Sequence, residues 1–193
     1  MKYIIMADGK GSRWNNYNNI IKPLIEINGE TIIGRTVRLL NELDPNSEVI
    51  ITSRNEKLDI EGSTRYVPKN NNEEIDRFTY ELITDNICFL YGDTYYTEEA
   101  MLEIIQNKND SLLFFGNDKK IFAIKVYNSN VFKNIINKIK EANKNDFSPG
   151  IMVFREFAKI TGESNLNNIF VNVEDKTADF NYPKDYLNYI KKD

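Results

Sequence analysis

The chain contains no histidine and a single cysteine, Cys88, among its 193 residues. Without imidazole, the side chain that most often moves protons near neutral pH is excluded from any mechanism. One thiol can form neither an intramolecular disulfide nor a cluster of zinc-binding thiolates. Long hydrophobic runs are missing as well: the apolar opening KYIIMA stops at Asp8, too soon for the core of a signal segment or for a membrane span. Nor is there an excess of positive charge. The 29 acidic and 25 basic residues are dispersed and leave a formal net charge of -4, which provides no footprint for a polyanion. The expectation is a cytoplasmic protein that binds neither nucleic acid nor membrane, with its oligomeric state undefined. What the chain does have is 41% hydrophobic and 12% aromatic residues, sufficient for the core of a single domain spanning 1–193.

Hydrophobic periodicity alternates between two kinds of element. Short apolar runs predict strands at 2–7, 48–52, 65–67, 86–91, 112–115, 121–126 and 169–173, with a short extended piece at 24–27. Helical spacing predicts helices from Thr31 to the Asp44-Pro45 stop, over 74–84, through Met101 and Ile105, over 131–139 and 150–160, and after Pro183. The alternation predicts a three-layer α/β domain with a mostly parallel, Rossmann-like sheet. In such sheets ligands bind beyond the carboxyl ends of the strands.

The first strand ends in Ala7-Asp8-Gly9-Lys10-Gly11-Ser12-Arg13. Two glycines let backbone N–H groups approach an anion, and Lys10, Ser12 and Arg13 add donors and positive charge, which is phosphate chemistry. It is not a Walker loop, because Lys10 is followed by Gly11. It is not a dinucleotide fingerprint either: Trp14 stands where a third glycine is needed, and Thr52-Ser53 stand where the second strand should end in an acid.

Together with Ile21-Lys22-Pro23-Leu24, this loop resembles the signature of the sugar-phosphate and small-metabolite-phosphate nucleotidyltransferases, a glycine loop ending in arginine followed by P-K-P-L. Asp8 departs from the pattern by replacing a small residue, and Ile21 by replacing a proline. The resemblance implies a nucleotide-diphospho-sugar transferase fold. Ala7 to Arg13, Lys22, and Ser53 and Arg54 at the end of the second strand would bind a nucleoside triphosphate. Arg13, Lys22 and Asp93 would act in catalysis. Asp93, after the central strand, would hold Mg²⁺, with Asn181 in a segment resembling the family's D-I-N-T-P-E-D-L ending as second ligand and Asp179 in reserve.

By the same resemblance, a phosphorylated small metabolite attacks the α-phosphorus and pyrophosphate leaves. Its product would serve surface polysaccharide synthesis. A phosphate nucleophile is already ionised, so the lack of histidine is no obstacle. CTP is the expected donor, with Asp8 a candidate reader of an exocyclic amine. Tyr95, Tyr96, Lys125 and Arg155 are candidate acceptor contacts, and the 72–77 segment a candidate for base or ribose. Two other readings stand beside this one: a nucleotide-sugar glycosyltransferase, which calls for Asp-x-Asp where this chain has Asp93-Thr94-Tyr95, and a catalytically silent nucleotide-binding protein.

Overall fold

Tyr3, Ile4 and Ile5, consecutive in the first strand, are all within 1% of complete burial, so both faces of that strand are covered. The computed structural model describes residues 1–15, 17–142, 148–162 and 166–191. In chain order the elements are β1 (Lys2–Met6), β2 (Glu26–Ile27), β3 (Glu30–Thr31), α1 (Ile32–Leu43), β4 (Glu48–Thr52), β5 (Thr64–Tyr66), β6 (Ile87–Tyr91), β7 (Thr94–Tyr95), α2 (Glu98–Gln106), β8 (Leu112–Asn117), β9 (Lys120–Val126), α3 (Ser129–Glu141), α4 (Pro149–Thr161), α5 (Leu166–Ile169), β10 (Phe170–Asn172), β11 (Ala178–Asp179) and α6 (Pro183–Ile190).

Seven strands form one sheet in the order β10-β8-β9-β6-β1-β4-β5. Strands β4, β1 and β6 are parallel neighbours, β5 extends them beside β4, and β9 alone runs against the rest. Alternation along β1 sends Tyr3 and Ile5 to one face, where they meet Val37 and Leu40 of α1 and Met101 and Ile104 of α2. Ile4 and Met6 go to the other, against Phe132 and Ile136 of α3 and Val153 and Phe157 of α4. This is the three-layer α/β architecture, with a mostly parallel central sheet. The helices begin where local chemistry starts them. Thr31, Thr97 and Asn128 accept side-chain caps from Gly34, Ala100 and Val131, and prolines open α4 and α6.

Residues 74–84 depart from the helix their spacing predicts. They form two 3-10 turns, Glu74–Phe78 and Tyr80–Leu82, broken at Thr79 with φ 44. The buried carboxylate of Asp76 closes a capping box at the start of the first turn, accepting from the N–H groups of Asn72 and Glu73, both at 3.0 Å, and pairing with Lys140 at 2.5 Å; the left-handed backbone at Thr79, whose N–H bonds back to Asp76 O at 2.8 Å, ends that turn. The apolar positions nevertheless face inward: Ile75, Phe78 and Ile83 are each 1% exposed. Ile169, expected to begin a strand, ends a helical turn, and β10 starts one residue later.

A third, smaller cluster joins the two ends of the chain. Trp14, Ile25, Ile27 and Ile32 pack with Phe180, backed by Tyr17, Tyr95, Tyr186 and Tyr189. Beside it, β7 pairs antiparallel with β11, placing Asp179 opposite Thr94.

Candidate active site

The carboxyl ends of β4, β1 and β6 lie side by side, where the chain turns from one half of the sheet to the other. Ala7 donates to Thr52 O and Gly92 to Met6 O, both at 3.0 Å. The fit is tight at Gly92: a Cβ there would lie 2.9 Å from the Cβ of Ala7 and 3.0 Å from Met6 O. Beyond β1, Gly11 takes φ +61, and Trp14 donates to its carbonyl at 2.9 Å, folding the loop back. Burial of Trp14, whose indole N–H reaches Ile20 O at 2.9 Å, anchors the return that delivers Lys22. Its Nζ meets Asp93 Oδ2 at 2.6 Å.

This ion pair stands beside a cavity of about 760 Å³ lined by Ala7 to Gly11, Lys22, Pro23 and the 53–58 segment after β4. A second cavity, of about 340 Å³, is lined by Arg13, Lys119, Lys120, Pro149, Asp179 and Asn181 among others. Arg77, Tyr91 and Asp93 line both. Burial pushes the Tyr91 hydroxyl well above its ordinary range, and it accepts from Gly150 N at 2.9 Å. It is a neutral wall group and not a base.

The three residues expected to hold Mg²⁺ come together through backbone pairing. Phe180 N donates to Asp93 O at 3.0 Å, so β11 runs alongside the segment bearing Asp93. The Asn181 amide donates to Asp179 Oδ2, and Lys120 Nζ pairs with the same carboxylate at 2.8 Å. Among the described residues, no three or more His, Cys, Asp or Glu side chains are grouped as a metal cage. Mg²⁺ needs none: it favours hard oxygen donors, keeps several waters, and is commonly bound by one or two carboxylates together with substrate phosphates. Two carboxylates and a carboxamide oxygen on one cavity wall fit that chemistry.

Other expected site residues are distributed unevenly. Lys10 and Arg54 line the larger cavity; Ser53 also lines it, though it is 1% exposed and its hydroxyl accepts from Asn55 N. Arg13 opens onto the second cavity, its guanidinium 6.0 Å from the Tyr182 ring centroid. Ser12 is exposed and lines neither. Asp8 does not present a free carboxylate to a base. It accepts from Arg54 N at 2.9 Å and from Asn71 Nδ2 at 2.9 Å, and pairs with the Arg54 guanidinium.

The expected acceptor contacts need correction. Lys125 is 1% exposed, and its ammonium donates to Ile105 O and Asn107 O at the carboxyl end of α2. Burial lowers its pKa. It lies at the Cys88 level of β6, toward that strand's amino end and away from both cavities. Tyr96 is fully buried and donates to Phe122 O at 2.6 Å. Tyr95 faces the small cluster, with Arg35 over its ring and Tyr189 beside it. Arg155 is exposed on α4, outside the lining of either cavity. Lys125 and Arg155 lie on elements the sequence predicts, and Tyr95 on a short strand, β7, that it does not, but burial and facing depend on what packs there. Arg77, the last residue of the 72–77 segment expected at base or ribose, lines both cavities, and Lys119 and Lys120 at the β8–β9 turn reach the site without a sequence signal stronger than their charge.

No protein-family model and no curated protein sequence matches the chain. Solved structures do match it over nearly its whole length. UDP-glucose pyrophosphorylase, complexed with UDP-glucose, superposes with a TM-score of 0.67 at 13% identity, covering 99% of this chain and 97% of that one. The CTP:phosphocholine cytidylyltransferase from Streptococcus pneumoniae gives 0.63 at 15%, covering 99% and 98%. The inositol-1-phosphate CTP transferase from T. maritima gives 0.61 at 11%, covering 99% and 95%. The chain therefore has the fold found in these nucleotidyltransferases. Among the described residues, no helix is long and apolar enough to cross a membrane.

Proposed function

We propose that the protein is a nucleotidyltransferase that joins a nucleoside monophosphate, drawn from CTP, to a phosphorylated small metabolite and releases pyrophosphate. The observation that carries this reading is the Lys22–Asp93 pair at the meeting point of two cavities, one walled by the glycine loop. The larger cavity has the volume and backbone chemistry for a nucleotide. The smaller one suits a small phosphorylated acceptor: a sugar 1-phosphate, or the phosphate of a small alcohol, amine or amide. Similarity in fold to two enzymes named for CTP supports the choice of donor.

In this reading the acceptor's phosphate oxygen attacks the α-phosphorus in line, forming the new P–O bond as the bond to pyrophosphate breaks. Lys22 exchanges Asp93 for the α-phosphate, while Arg13 and the loop amides neutralise the growing negative charge. Asp93, Asp179 and Asn181 are the residues that would hold Mg²⁺, which when bound supplies further charge neutralisation to the phosphates. The activated product would feed the building of surface polysaccharides. A pyrophosphate-release screen of the four nucleoside triphosphates against phosphorylated and unphosphorylated acceptors tests the proposal. Release is expected with CTP and a phosphorylated acceptor only. Equal release with an unphosphorylated alcohol, or consumption of a nucleotide sugar with sugar transfer, would replace this reaction by another.

A further inference from the structure

Arg77 occupies a position that the catalytic scheme above leaves unused. Its guanidinium lies in van der Waals contact with the glycine loop: a Cβ on Gly9 would sit 3.4 Å from Cζ and 3.5 and 3.6 Å from the two terminal nitrogens. The side chain is only 20% exposed, and it lines both cavities together with Tyr91 and Asp93. Its partner is Glu74, three residues away on the same 3-10 turn, with Nη2 to Oε2 at 2.5 Å. Glu74 lines the second cavity too and is 45% exposed.

The other cations at this junction are differently placed. Lys22 is bound to Asp93, Lys120 to Asp179, Arg13 stands over Tyr182, Lys10 lines the larger cavity but not the smaller, and Lys119 the smaller but not the larger. Arg77 is thus the guanidinium behind the loop at the boundary between the two spaces. A guanidinium has five donors in a planar fork, and one contact to Glu74 engages a single terminal nitrogen. That geometry suits two phosphate groups approaching from opposite sides better than a point charge would.

Resting on the reading of the two cavities as donor and acceptor sites, we propose that Arg77 is a phosphate clamp spanning them. It is held by Glu74 and is transferred to the substrates' phosphates when they bind. Glu74 is then an internal competitor: its carboxylate occupies the fork until a more highly charged anion displaces it.

The competition gives the test its sign. Binding of CTP and, separately, of inorganic phosphate as a surrogate for the acceptor's phosphate is measured calorimetrically, with Mg²⁺ present throughout, for the wild type, Arg77→Gln, Arg77→Lys and Glu74→Gln. Loss of charge-assisted hydrogen bonds in Arg77→Gln is expected to weaken both ligands by about tenfold or more. Arg77→Lys should recover part of this, and Glu74→Gln should tighten both. If Arg77 and Glu74 merely brace the loop, the Gln variants will weaken binding alike, which overturns the clamp. Unchanged affinity in Arg77→Gln also overturns it, while leaving the nucleotidyltransferase reading intact. That reading fails separately if the wild type binds no nucleoside triphosphate.

Discussion

The Nζ of Lys22 lies 2.6 Å from Oδ2 of Asp93, across 71 positions of sequence. The pair is mostly buried, with side-chain exposures of 12% and 22%. Each partner neutralises the other. In the proposed reaction both are needed elsewhere, Lys22 on the α-phosphate and Asp93 on Mg²⁺. Lys22→Ala should therefore lower kcat by about 10²- to 10³-fold with a smaller change in KM, since its charge matters most where negative charge develops. Asp93→Ala should abolish turnover and leave the fold intact by circular dichroism. A pure KM effect in the lysine variant, or full turnover in the aspartate variant at saturating Mg²⁺, would contradict these roles.

Asn181→Ala should reduce activity less than Asp93→Ala, because Asp179 adjoins the same place and can take over part of the ligation. Combining Asn181→Ala with Asp179→Ala should remove that reserve. A titration of activity with Mg²⁺ checks this through the midpoint, which should shift upward in the single variant and further in the double. Chelation should silence the wild type.

Gly92→Ala places a methyl 2.9 Å from the Cβ of Ala7 and 3.0 Å from Met6 O. Since one neighbour is backbone, the ends of β1 and β6 must separate to admit it. The expected cost is about 1–3 kcal/mol of stability, read by urea unfolding, together with a loss of kcat as Asp93 is displaced. Gly11→Ala, by contrast, meets no atom within 4 Å but must adopt φ +61. Its penalty is backbone strain of about 1 kcal/mol.

Asp8 was a candidate reader of the base, but its carboxylate is occupied by Arg54 and Asn71. Asp8→Asn should raise KM for CTP and UTP together, as the loop loses its tie to the 54 and 71 segments, and leave the ratio of their kcat/KM values unchanged. A selective loss with CTP would return the base-reading role to Asp8.

Asp76 carries the clearest pH dependence. Burial would raise its pKa, but the ion pair with Lys140 and the N–H groups of Glu73 and Asn72 outweigh burial and lower it below the ordinary 3.8. A lowered folded-state pKa stabilises the fold above the unfolded value, and that contribution disappears as pH falls through the folded value. Asp76→Asn should cost about 1–3 kcal/mol near neutral pH. The deficit relative to wild type should shrink below about pH 4. Urea unfolding at a neutral and an acidic pH checks it; a deficit independent of pH would assign the effect to packing.

The strands β1, β4 and β6, most helices and the loop with its following Lys-Pro could be read from the sequence because their information is local. Apolar runs announce buried strands, 3.6-residue spacing announces helices, and glycines beside cations announce an anion. Even 74–84 disclosed its buried residues while concealing its backbone, since the residue that breaks it, Thr79 at φ 44, is neither glycine nor asparagine and carries no turn signal. Only the tertiary structure decided which charges meet. Lys125 and Lys120 stand on the same strand, yet one is enclosed at the sheet's far end and the other reaches Asp179. Arg77 gained its place at the cavity junction from the bend of its turn and the closeness of Gly9. Charge is written in a residue's identity, but its use depends on the direction of the side chain and on what shields it from water. Both are properties of packed neighbours far away in sequence.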